Sequence, residues 1–371
     1  MAISYHRPTK IIVDLEAIKQ NLVNEIKHNQ GKAVYVAVKA NGYGHGAVPV
    51  ARTVLEAGAK GLCVATLDEA IELRQQGIEA PILLLGILDL SALSLAQKYQ
   101  VALPIATKEW FEEAQKILSK EACLTVHIAV DTGMGRIGLQ SPEEVSEVAK
   151  QIDMDSRFEL EGIFTHFATA DQADTDYWEK QNYRFKEAIA VLTEKPKYIH
   201  CSNSATSLWH EDMGNLVRYG IALYGLNPSG TSLSETYPLQ PALTLESELI
   251  QVKKVSVGEG IGYGKTYVTP TEEWIGTVPI GYADGYVRKM QGFSVLVDGQ
   301  RCEIVGRVCM DQLMIRLPKE YKVGTKVTLI GKNGGEEITL QSIADHLDTI
   351  HYEVICLLSE RIPREYLIEK D

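Results

Sequence analysis

Eight short apolar runs recur between residues 33 and 225, and their spacing does most to limit the fold. They are AVYVAVK, GLCVAT, PILLLG, VALPI, LTVHIAV, LEGIFTH, KYIHCS and VRYGIALYG. Between most of them lie stretches with the apolar spacing of a helix, such as LDEAIELRQQG, TKEWFEEAQKILSK and SPEEVSEVAKQI, with glycine or proline near their ends. Eight strand-and-helix pairs within about the first 230 residues match a (β/α)8 TIM-like barrel in number and pace. A doubly wound open sheet has the same alternation, so the count alone leaves both architectures open.

The texture changes after NPSGTSLSETYPLQP, a Ser-, Thr- and Pro-rich stretch that reads as a linker. Beyond it, LTLESELIQVKKVSV, EWIGTVPIGY, FSVLVDG, EIVGRVCMDQLMIRL and KVTLIG alternate or are β-branched, with glycine-bearing turns between them. A chain of 371 residues is long for one core. The expected division is a (β/α)8 barrel over residues 1–235 and a mostly β domain over 236–371, with a helix near LQSIADHL.

The net charge of −12 argues against a nucleic-acid partner, which calls for a basic face. No apolar run approaches the length needed to span a bilayer, and MAISYHRPTKIIVDLEAIKQNL has no apolar core of a secretory signal. The cysteines (Cys63, Cys123, Cys201, Cys302, Cys309, Cys356) form no CxxC pair, and four lie in apolar strand-like stretches such as GLCVA and VICLL. They read as reduced thiols of a cytoplasmic protein. No His, Cys and Asp cluster has metal-ligand spacing, so no required metal is expected.

The first run ends in a lysine and glycines, VAVKANGYGHGA. GYGHGA fits the permissive dinucleotide fingerprint, yet the next strand, GLCVAT, ends in Thr66 rather than in the acidic residue that would hold a ribose. Lys39 could snorkel to solvent. At the carboxyl end of a barrel strand, however, it stands on the face that carries active sites. An ammonium among apolar residues loses its proton more readily, and a neutral lysine can form a Schiff base with a carbonyl. Other strand ends supply matching chemistry: His166 after LEGIFT, Ser202, Asn203 and Ser204 in KYIHCSNSAT, and Arg218 with Gly220 and Ile221 in VRYGI. Hydroxyls and backbone N–H groups near the last barrel strands commonly hold phosphate. Schiff-base lysine, phosphate cradle and arginine together describe a pyridoxal phosphate site. His166 and Tyr263 also have plain structural readings, and Cys309 and His200 are read as structural. Asp131 reads as the cap of a turn.

AVKANGYGHG resembles the cofactor-lysine motif of bacterial alanine racemases, and so do DTGMGRIG, CSNSAT, VRYGIALYG, GEGIGYGKTY, VPIGYADGY and GRVCMDQ, in that family's order. The resemblance implies a barrel followed by a β domain, in a homodimer whose active sites are shared. It implies that Lys39 carries pyridoxal 5'-phosphate and serves one face of the substrate. Tyr263 of the other subunit would serve the opposite face, with His166 contacting it. Arg218 would bond the pyridine nitrogen, while Tyr43, Ser204, Gly220, Ile221 and Tyr352 hold the phosphate. Arg136 and the Met310 backbone would meet the substrate carboxylate, and Tyr282 and Asp311 would line the site or its entrance. The implied activity is alanine racemisation, supplying D-alanine for cell-wall peptidoglycan.

Many family members carry a carbamylated lysine two positions before the DTGMGR aspartate, where this chain has Ala129. A bound anion such as chloride beside Arg136 is the expected substitute. A broad-specificity or serine racemase on the same scaffold is the nearest alternative. A non-catalytic pyridoxal phosphate carrier would explain Lys39 but leave the β domain and Tyr263 without a task.

Overall fold

The computed structural model describes residues 2–121 and 123–368. The chain divides into two units, one from Ala17–Gly42 and Gly46–Pro241, the other from Met1–Glu16, Tyr43–His45 and Ala242–Asp371. With β1 at Lys10–Asp14, the strands of the first unit are β2 (Ala33–Ala37), β3 (Gly61–Val64), β4 (Ile82–Leu84), β5 (Val101–Ile105), β6 (Leu124–Ala129), β7 (Phe158–Phe164), β8 (Tyr198–His200) and β9 (Leu216–Tyr219). They are parallel and adjacent in chain order from β2 to β8, and β9 returns to pair with β2, Val36 opposite Tyr219. The remaining gap between β8 and β9 is joined by the Arg218 N–H donating to the Ser202 carbonyl at 2.9 Å. This is the (β/α)8 barrel, not the open sheet.

Barrel strands are covered on both faces, which is why they appear as continuous apolar runs rather than alternating ones. Every residue of β3 and β4 is buried. The three amphipathic stretches form helices Leu67–Gln75, Lys108–Ile117 and Pro142–Asp153. Each is capped at its N-terminus by a hydroxyl, from Thr66, Thr107 and Ser141, which accepts from an otherwise unsatisfied N–H.

In the second unit, β1 lies between Leu243–Glu248, antiparallel, and Arg364–Leu367, parallel. Sequence position leaves β1 with the barrel, whereas its hydrogen bonds place it in this sheet. Its burial alternates, with Ile11 and Val13 inside, as suits a sheet with one covered face. A separate three-stranded sheet joins Gln251–Val255, Glu273–Val278 and Leu313–Leu317. Helix Leu340–Leu347 appears where expected. VICLL, which reads as strand-like, lies largely in helix His351–Leu357, and Cys356 is exposed there. An apolar run this short does not distinguish the two states by period. All six thiols are free, with Cys63, Cys201 and Cys302 buried. Among the described residues no helix is long and apolar enough to cross a membrane.

One buried acid outside the barrel mouth has a measurable consequence. Glu25, on helix Leu15–His28, is fully buried, accepting from Tyr237 Oη at 2.5 Å and Asn29 Nδ2 at 2.9 Å. Burial pushes its carboxyl up to about 7 from an ordinary 4.5. The folded chain therefore holds this proton more tightly than the unfolded one. Its contribution to stability is complete below about pH 4.5 and is lost as pH rises through 7, by about 3 kcal/mol. Glu25→Gln should match wild type in urea denaturation at pH 5 and exceed it at pH 8.5. Equal differences at both pH values would refute the assignment.

Candidate active site

Lys39 is separated from β2 by Val38 and opens a turn that winds left-handed. Ala40, Asn41, Gly42 and Tyr43 have φ of 51°, 53°, 60° and 50°. For residues with a Cβ this conformation costs about 1–2 kcal/mol each. The turn persists because its groups are satisfied. The Gly42 N–H donates to the Val38 carbonyl at 2.8 Å, and Asn41 Oδ1 accepts from the Ala47 N–H at 2.8 Å. Glu69 Oε1 accepts from the Ala40 N–H at 2.7 Å. Glu69, in the first turn of helix Leu67–Gln75, therefore holds the lysine turn. Gly44 has its own reason, because a Cβ there would stand 2.7 Å from the Ile355 carbonyl oxygen. Backbone strain of this kind collects at functional sites.

Arg218 is buried on β9 and donates to His200 Nδ1 at 2.7 Å, the His200 carbonyl at 3.0 Å and the Thr165 carbonyl at 2.8 Å. Its Nη2 lies 3.5 Å from His166 Nδ1, at the limit of a hydrogen bond. Burial, then the charges of Arg218, Arg136 and Lys39, hold the His166 imidazole well below its ordinary pKa, so it is neutral. Burial likewise pushes the Cys63 thiol up to about 12, against the influence of Arg218 and Lys39. Ser204 opens helix Ser204–Trp209, and its Oγ accepts from the Gly220 N–H at 2.9 Å and the Ala222 N–H at 3.4 Å. The Ile221 N–H, in the first turn of a 3-10 segment, has no intrahelical acceptor. Arg136 is exposed in the loop after β6, which Asp131 caps by accepting from the Gly133 and Gly135 N–H groups at 3.0 Å. Ala129 is buried at the end of β6. Lys39, Arg136, His166, Ser204, Arg218, Gly220 and Ile221 thus all come from the carboxyl ends of barrel strands or the segments that follow them.

The second unit gathers the other motifs. Tyr263 is 66% exposed between Gly262 and Gly264, both at positive φ. A Cβ on Gly264 would stand 2.6 Å from an Arg307 guanidinium nitrogen, so IGYG lies against the start of the CMDQ segment. The Tyr282 N–H donates to the Cys309 carbonyl at 3.1 Å and the Ala283 N–H to the Met310 carbonyl at 3.0 Å, joining YADGY to CMDQ. Tyr282 and Met310 are exposed, and Asp311 accepts from the Arg361 guanidinium at 2.6 Å. Tyr352 is half-buried on helix His351–Leu357. Tyr43 belongs to this unit by its contacts.

Sequence reasoning did not single out Glu69, His127, Glu161 or Thr165. His127 was detectable as a polar residue inside the apolar run LTVHIAV. The barrel residues suit pyridoxal phosphate: an amine at a strand end, a buried cation with no carboxylate among its acceptors in the described residues, and a hydroxyl with neighbouring N–H groups at a helix start.

A family model described as the alanine racemase N-terminal domain matches residues 13–228, and one described as the C-terminal domain matches residues 242–366. The alanine racemase of Ligilactobacillus salivarius is 55% identical over 370 residues, covering 99% of this chain and 100% of its own. The crystal structure of alanine racemase from E. faecalis superposes with a TM-score of 0.98 at 57% identity, covering 99% of this chain and 100% of that one. A histidine racemase from Leuconostoc mesenteroides subsp. sake has a TM-score of 0.93 at 33% identity, with 99% and 100% covered.

Proposed function

The chain belongs to the alanine racemase family, and from that premise we propose how its residues interconvert L-alanine and D-alanine. It is an amino-acid racemase, an isomerase. Pyridoxal phosphate, when bound, supplies a conjugated ring into which the electrons of the breaking Cα–H bond spread. Lys39 holds that group through its amine and exchanges the α-proton on one face. Tyr263 of a second copy exchanges it on the other, so the substrate need not turn over. Arg218 would donate to the ring nitrogen. A guanidinium scarcely gives up its proton, so Arg218 would leave the ring nitrogen unprotonated, where a carboxylic acid would not. That favours returning the proton to Cα over moving it elsewhere.

Ser204, the Gly220 and Ile221 backbone, Tyr43 and Tyr352 hold the phosphate. Arg136 and the Met310 backbone orient the substrate carboxylate, with Tyr282 and Asp311 at the entrance. An anion beside Arg136 fills the role left by Ala129. The shared homodimer site is supported by the exposure of Tyr263, Tyr282 and Met310 on the β unit. Unbridged cysteines suit the cytoplasm, where D-alanine enters peptidoglycan synthesis.

The observation that carries this reading is Arg218, a buried cation that donates to no carboxylate among the described residues, bonded within the barrel unit that also presents Lys39. A chiral assay tests it. Protein loaded with pyridoxal phosphate should be yellow and bring L-alanine to equal amounts of both enantiomers. A colourless protein, or L-alanine left unchanged, would overturn it. The histidine racemase likeness favours a second reading, a broader substrate range, and equal turnover of L-serine or L-histidine in that assay would establish it.

A further inference from the structure

Among the described residues Arg218 donates to no carboxylate; the buried side chain of Asp212 acts on it only through space and is itself paired with Lys32, so the balance of this buried charge is incomplete at its hydrogen-bond shell. We propose that Glu161 is a second counter-charge to Arg218 beside Asp212, joined to it by two neutral histidines of fixed tautomer, and that this link tunes how strongly Arg218 donates to the cofactor's ring nitrogen. The second half rests on the role given to Arg218 above.

The ladder has three bonds. Glu161 Oε2 lies 3.1 Å from His127 Nε2, His127 Nδ1 lies 2.8 Å from His200 Nε2, and His200 Nδ1 lies 2.7 Å from Arg218 Nη1. Its two ends fix the direction of every bond. A carboxylate only accepts, so His127 Nε2 carries a hydrogen; a guanidinium only donates, so His200 Nδ1 is bare. The middle bond then has one solution, with His200 Nε2–H donating to His127 Nδ1. Both rings are neutral, because a second proton on either would set two donors facing each other. Burial keeps both imidazoles below their ordinary pKa, and the bond from His127 keeps the Glu161 carboxyl ionised below its own.

The backbone is shaped for this ladder. Val126 pairs with Leu160 and His127 with Gly162, so Glu161 is the extra residue of a bulge. Bulges redirect a side chain that regular pleating would place elsewhere. A Cβ at Gly162 would stand 2.2 Å from His127 Nδ1, so the imidazole position requires glycine there. Phe164 stacks on His200, with ring centroids 5.0 Å apart. Lys197, just ahead of β8, meets the second Glu161 oxygen at 2.9 Å. Glu161 and His127 are positioning residues on this account, since neither touches cofactor or substrate.

The electrostatic consequence has a definite sign. Removing an anion makes the remaining cation a stronger proton donor. In Glu161→Gln the amide oxygen still accepts from His127 while the charge is lost, so the bond from Arg218 to the ring nitrogen strengthens. The test is 15N NMR on two labels. Histidine-labelled protein without cofactor should show His127 and His200 as neutral Nε2–H tautomers. After loading with ring-15N pyridoxal phosphate, Glu161→Gln should shift the ring-nitrogen resonance toward that of the protonated ring, and Glu161→Asp should restore it. A protonated histidine, the opposite tautomer, or one ring resonance in wild type and Glu161→Gln would overturn the proposal. Protein that binds no pyridoxal phosphate overturns the role of Arg218 and the ring-nitrogen half with it. The tautomers, read without cofactor, stand or fall separately.

Discussion

Lys39→Ala should purify colourless, release pyridoxal phosphate on dialysis, and racemise alanine slower than wild type by at least about 10²–10⁴-fold, the range for a lost acid–base group. Two functions vanish together, attachment of the cofactor and proton exchange on one face, so colour and activity should fall in parallel. The fold should survive. The turn after Lys39 is held by Asn41, Glu69 and backbone groups, and alanine meets the same backbone demands at that position. Thermal unfolding of the protein without cofactor should therefore match wild type. A small soluble amine should restore part of the proton exchange, which a misfolded site would not permit. Borohydride reduction of wild type followed by peptide mapping should place the cofactor on the peptide containing AVKANGYGHG. A label on any other lysine would refute the assignment.

Which parts of this molecule are legible in sequence follows from how local their causes are. Strands β2–β9 are covered on both faces, so burial writes itself into the chain as eight apolar runs. Closure of the barrel is written nowhere locally, because it depends on β9 pairing with β2 across most of the unit. That is why an open sheet fits the same runs. β1 differs from its successors by a period-two burial pattern, a local sign of its membership in the other sheet that chain order obscures. The lysine turn is legible as tight because glycine advertises positive φ. Its continuation through Ala40, Asn41 and Tyr43 is not, since the strain is balanced by Glu69, distant in sequence. Motif order carries Lys39, Arg218 and Tyr263, whereas Glu161 depends on a bulge, and a bulge exists only between two strands.

Tyr263→Phe should retain the yellow colour while racemisation falls by about 10²–10⁴-fold or more, because it removes a proton carrier and nothing that holds the cofactor. The phenol is 66% exposed on its own chain, and the turn around it is set by Gly262 and Gly264, so stability should change by no more than about 0.5 kcal/mol. A one-sided loss distinguishes a missing base from a damaged site. Lys39 still serves its face, so one enantiomer of alanine should continue to exchange its α-proton with deuterated water while the other does not. Equal loss for both enantiomers would remove the two-base assignment. Mixing this variant with Lys39→Ala then tests where the phenol acts. If Tyr263 crosses to the partner, each hybrid dimer contains one site with both native groups and one with neither. Random re-association in equal amounts makes half the dimers hybrid, restoring about a quarter of wild-type activity from two nearly inactive proteins. If the phenol served the Lys39 of its own chain, every site would lack one group and mixing would restore nothing.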